Sequence, residues 1–143
     1  MAVSVPEPEK MKETAWKNAA KLLASASEAG FTPLLLTASD PASFSSLIAS
    51  GKFTQAESMT LLTSVYYSDY KTLISLNRSN GGAVYFNDGN IISKWAARSL
   101  PSNRKLGKLI RKDRVEVMLD ADGKGKLLFE AFMLYTFTLM LIL

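Results

Sequence analysis

The chain has 143 residues, 17 Lys and Arg against 13 Asp and Glu, a net charge of +4, and neither Cys nor His. That length suits one domain with a core of its own, without disulfide staples. The missing residues exclude disulfides, thiol nucleophiles, thiolate or imidazole metal sites and a Ser-His-Asp triad.

Taken in chain order, Ala2–Val5 is a short apolar run broken by Pro6 and Pro8. It reads as a brief strand entering a turn, and it is too short and uncharged for a signal peptide. From Glu9 or Lys10 to Ala29, the residues Ala15, Ala19, Leu22, Leu23 and Ala26 recur at helical spacing, and Gly30 follows as a stop. Leu34-Leu35-Leu36 suits a strand covered on both faces. Asp40-Pro41 then caps and opens a helix to Ser50, with Phe44, Leu47 and Ile48 inward. Lys52–Ser58 reads as a loop or the edge of another turn. Met59–Tyr67 is ambiguous between helix and strand. Asp69–Leu76 reads as a short helix with Tyr70, Leu73 and Ile74 on one side, and Asn77–Gly82 as a loop.

Ala83–Ala96 carries the clearest local signal. Two β-rich runs flank Asn87-Asp88-Gly89-Asn90, and Asp-Gly between such runs predicts a tight hairpin. Pro101-Ser102 opens a basic helix to about Lys112, with Leu106, Leu109 and Ile110 as its buried side; Val115–Leu119 continues it or forms a strand. A βαβ half followed by a ββα half predicts an α/β domain with a central mixed sheet flanked by helices. The domain is expected over 1–119, and residues 120–143 form a polar turn and an apolar C-terminal segment.

That order is the thioredoxin order. The run from Ser79 through Gly81-Gly82 and Asn87-Asp88-Gly89 to Lys94-Trp95 resembles the segment where a loop enters the hairpin in thioredoxin-like proteins. Met11-Lys12-Glu13-Thr14-Ala15 is similar to the stretch that follows their Cys-x-x-Cys motif. Over residues 2–112 the chain most resembles thioredoxin-like domains found in or beside DoxX-type membrane proteins. On that register Pro8 and Met11 stand at the two cysteine positions, and Gly81 stands where the family has its cis-proline. The resemblance therefore implies the fold without the thiol chemistry.

The remaining constellations imply no cofactor and no metal. Asp120-Ala121-Asp122-Gly123-Lys124-Gly125 resembles the start of a calcium loop. Lys124 at position five and Ala131 at position twelve remove the oxygen ligands that such a loop needs. Arg104, Lys105, Lys108, Arg111 and Lys112 form a patch for solvent or an anionic membrane surface, with nucleic acid the least favoured partner. Tyr66, Tyr67 and Asp69 could line a ligand groove near Pro8, Met11 and Gly81. Ala131–Leu143 has no charged residue. It suits the beginning of a membrane span, a packed terminal element or an oligomer-forming segment. The expected function is a redox-inactive interaction or structural module for a protein or membrane-protein partner. Its expected place is the cytoplasm or the cytoplasmic face of a membrane. The alternative is a small-ligand binder or a non-thiol enzyme.

Overall fold

The computed structural model describes residues 1–111 and 132–135. The chain divides into two compact units, Met1–Arg111 and Lys112–Leu143. In the second unit residues 132–135 are helical. Lys112, the Val115–Leu119 segment, the calcium-like loop and the rest of the apolar tail lie outside the described residues.

The first unit is α/β. Strand β1 (Ala2–Val5) leads through a 3-10 turn (Pro8–Lys10) into helix α1 (Glu13–Glu28). Then follow β2 (Leu34–Thr37), α2 (Pro41–Ser50), α3 (Gln55–Ser64), β3 (Val65–Tyr67), α4 (Tyr70–Leu76), β4 (Gly82–Asn87), β5 (Asn90–Trp95) and α5 (Asn103–Arg111). The five strands make one mixed sheet in the order β3-β2-β1-β4-β5. β1, β2 and β3 are parallel, while β4 runs antiparallel to β1 and β5 antiparallel to β4.

Each element has a local cause. Asp40 accepts hydrogen bonds from the Ala42 and Ser43 N–H groups and starts α2. Thr54 and Glu57 form a reciprocal capping box that starts α3. This helix overturns the expected Lys52–Ser58 loop, and the ambiguous Met59–Tyr67 stretch divides into its last turns and β3. α1 begins later than the apolar spacing predicts, because Pro8 and its neighbours form a separate 3-10 turn. Asp88 and Gly89 both take positive φ, 48° and 77°, which closes the predicted two-residue hairpin between Asn87 and Asn90.

The core lies on both faces of β1. Val3 and Val5 are fully buried, as are Ala19, Leu23 and Ala26 of α1. Between them, on the opposite side of the strand, the Ser4 hydroxyl donates to the Leu73 carbonyl of α4 at 3.4 Å. α3 and α5 both pack against α1. Trp16 seats on Phe44 with ring centroids 5.9 Å apart, which ties α1 to α2. Ile110, expected on the buried side of its helix, is exposed, and so is Tyr70. Leu73, and Leu106 with Leu109, do that packing instead.

Candidate functional site at the carboxyl ends of the parallel strands

Parallel strands deliver their carboxyl ends to one edge of the sheet, and loops there converge. Pro6–Lys10 follows β1, Ala38-Ser39 follows β2 and Ser68-Asp69 follows β3. β4 runs antiparallel, so its start, Gly82, pairs with Ser4 near the same end. The topology thus gathers Pro8, Met11, Gly81, Tyr67 and Asp69 at one end of the sheet.

Within that end the first three meet. Pro8 is buried, and its carbonyl accepts from the Met11 N–H at 3.2 Å, closing the turn. Gly81 is buried at φ +84°, and its N–H donates to the Ser4 carbonyl at 2.8 Å. The Met11 thioether lies over it: a Cβ on Gly81 would come within 3.0 Å of Met11 Cε and 3.3 Å of Sδ. Among the described residues no peptide bond is cis. The place assigned to two thiols and a cis-proline on the thioredoxin register therefore holds a proline, a thioether and a trans glycine. None of these can form a thiolate or titrate near neutral pH.

A clasp that local pattern did not reveal holds this end together. Asn80 Nδ2 donates to the Glu7 carbonyl at 2.7 Å, and Asn80 Oδ1 accepts from the Glu7 N–H at 3.2 Å. One amide side chain thus satisfies both backbone groups of a residue 73 positions away. Asn77 acts alike on the next loop. Its Nδ2 donates to the Ala83 and Trp95 carbonyls at 3.2 and 3.1 Å, and its Oδ1 accepts from the Ser79 N–H at 3.0 Å. Ser79 Oγ in turn accepts from the Ala97 N–H at 2.8 Å. The only sequence signal for this was the turn preference of Asn and Ser in a segment read as a plain loop.

Two of the acidic groups at this end, Glu7 and Asp69, are engaged structurally, while Glu9 is exposed. Glu7 Oε1 holds Lys10 Nζ at 2.6 Å, and this hydrogen bond and charge raise the Lys10 ammonium above its ordinary value. Asp69 Oδ1 accepts from the Thr72 N–H at 2.9 Å. Hydrogen bonding from Thr72 holds the Asp69 carboxyl below its ordinary range, which is the signature of a helix cap. Beside it Tyr66 and Tyr67 are 55% and 43% exposed, and Tyr67 meets Phe44 edge-on at 6.4 Å. An open cavity of about 250 Å³ lies between Pro6–Lys10 and Ala38-Ser39.

The basic residues fall elsewhere. Arg104, Lys105, Lys108 and Arg111 line the exposed side of α5, opposite buried Leu106 and Leu109. Lys105 Nζ sits 5.7 Å from the centre of the Trp95 ring. Among the described residues no group of three or more acidic residues could hold a metal, and no helix is long and apolar enough to cross a membrane. Comparison with family models, with curated proteins and with solved structures returns no match.

Proposed function

We propose that the chain is a redox-inactive thioredoxin-like domain that serves as an interaction module. It presents the carboxyl ends of β1, β2 and β3 to a protein partner. The observation that carries this reading is the approach of the Met11 thioether to Gly81, where the resemblance would put a thiol site. Support for the fold comes from the arrangement β2-β1-β4-β5, with β1-α1-β2 parallel and the β4–β5 hairpin followed by α5. Support for the role comes from what remains at that end. Asp69 caps a helix, Glu7 pairs with Lys10 and Asn80 holds backbone, whereas Tyr66, Tyr67 and Tyr70 stay exposed. Exposed tyrosines on a rigid edge are common partner-binding residues.

Two experiments test the two halves. In the variant Pro8→Cys/Met11→Cys, a turn whose ends are already joined by a backbone hydrogen bond brings the new thiols within disulfide reach. Gain of a reversible disulfide and of thiol-exchange activity supports the thioredoxin register; an unbridged pair sinks it. For the role, a photo-crosslinking residue at Tyr67 is compared in cells with one at Asp88. The hairpin turn carrying Asp88 lies at the other end of the sheet. A discrete adduct to another protein from Tyr67 alone supports the module, and equal or absent adducts overturn it.

A further inference from the structure

A second concave site lies away from the strand ends, between α1 and the segment that leads into α5. Its volume is about 520 Å³. Asn18 and Lys21 line it from α1, and Arg98, Ser102, Asn103 and Arg104 from the other side. No acidic residue lines it. Lys21, Arg98 and Arg104 are all exposed. Among the described residues the only ion pairs are Lys10–Glu7 and Lys17–Glu13, so none of the three cations is neutralised by one. Three unpaired cations around one cavity repel each other and gain from a shared anion.

The polar groups around them are donors too. The Ser102 carbonyl accepts from the Lys105 and Leu106 N–H groups, both at 2.9 Å, and so begins α5. The N–H groups of Asn103 and Arg104 precede the first intrahelical bonds and have no carbonyl partner within the helix. The Ser102 hydroxyl and the Asn18 and Asn103 amides add neutral donors. Leu22, Leu100 and Pro101 give the cavity an apolar floor.

We infer that this cavity binds a small molecule bearing a phosphate monoester. Its phosphoryl group would sit among Lys21, Arg98 and Arg104, and its organic part on the apolar floor. A phosphate monoester carries close to two negative charges at neutral pH, which the cation set matches. The cavity has the size of a ligand pocket and exceeds what bare phosphate fills. The same headgroup chemistry occurs in soluble metabolites and in phosphatidic acid, and the test separates them.

The full chain, labelled with nitrogen-15, is titrated with glycerol 3-phosphate at constant ionic strength. Saturable shifts of the Asn103 and Arg104 amides are expected. Arg98→Ala and Lys21→Ala should each weaken binding about tenfold. Lys108→Ala, on the same helix but outside the cavity, should leave it unchanged, and dispersed spectra of each variant report that it folds. Sedimentation with phosphatidylcholine vesicles containing phosphatidic acid forms the second arm. Saturable binding of glycerol 3-phosphate assigns a soluble ligand. Binding only to the vesicles, lost in Arg98→Ala and kept in Lys108→Ala, assigns the lipid headgroup. No saturable binding in either arm, or equal loss in Lys108→Ala, overturns the pocket.

Discussion

Gly82 is the tightest point of the candidate site. A methyl group there would stand 2.7 Å from the Trp95 carbonyl oxygen and 2.6 Å from Asn77 Nδ2. An ordinary carbon–oxygen contact is about 3.3 Å, so the chain would have to yield by roughly 0.6 Å. It has two ways to do so. The start of β4 can part from the end of β5, where Ala83 pairs with Trp95. Otherwise Asn77 can swing away, giving up its bonds to the Ala83 and Trp95 carbonyls. Overpacking of this kind costs about 1–3 kcal/mol, and each lost hydrogen bond costs about 1 kcal/mol. Gly82→Ala should therefore destabilise by about 3 kcal/mol, a fall of about 10 °C in the midpoint of thermal unfolding followed by circular dichroism. Gly89→Ala is the internal comparison. Nothing lies within 4 Å of a Cβ there, and only the positive φ of 77° resists the substitution, so about 1 kcal/mol is expected. A Gly82→Ala variant that melts with the wild type, or above Gly89→Ala, would refute the packing account of this loop.

Asn80→Ala removes both bonds to Glu7, but the Glu7 carbonyl keeps the Lys10 N–H at 3.2 Å, so a loss of about 1–2 kcal/mol is expected by urea unfolding. Asn80→Asp keeps the acceptor for the Glu7 N–H and loses the donor, setting a carboxylate against the Glu7 carbonyl; it should be no more stable than Asn80→Ala, and near wild-type stability would contradict the clasp. Hydrogen bonds from Ser43 and Thr72 hold the Asp40 and Asp69 carboxyls below their ordinary value of 3.8. The stability they add is complete above that value and is lost as the pH falls through the lower folded values. Melting temperatures should therefore fall in that acid range, and Asp40→Asn/Asp69→Asn should flatten the fall; an unchanged acid slope would remove these caps from the account.

Legibility followed the range of the interaction. Asp88-Gly89 fixed its hairpin because the turn needs two consecutive residues that tolerate positive φ, and both are adjacent in the chain. The run Leu34-Leu35-Leu36 marked β2, although only one face is fully buried: Leu35 and Thr37 are buried while Leu34 and Leu36 are half-buried. The start of α3 was equally local, since Thr54 and Glu57 stand at capping-box spacing, yet the polar run around them read as loop. Ile110 is exposed against expectation because an apolar residue at the margin of a helical stripe needs a neighbouring element to cover it. Periodicity carries no information about that element. The Asn80 clasp was beyond reach for the same reason, for its partner Glu7 stands 73 positions away in the chain.

The site's residues divide along this line. The resemblance to thioredoxin-like proteins is what places Pro8, Met11 and Gly81 together, and the pairing of β1 with β4 brings the end of one strand and the start of the other to one edge. What that edge does depends on how its polar groups are occupied, which only the packed chain decides. Asp69 Oδ1 accepts from α4, and Glu7 is held from two sides, by Lys10 through its carboxylate and by Asn80 through its backbone, while Glu9 stays exposed. An edge whose polar groups fasten its own loops is rigid, and rigidity lowers the entropy lost when exposed aromatic side chains dock on a partner. Loosening the clasp should therefore weaken crosslinking from Tyr67 even though Asn80 touches no partner. In Asn80→Ala the adduct should fall at a temperature where the domain remains folded. An adduct as strong as that of the wild type would mean that the tyrosines bind without the scaffold beneath them.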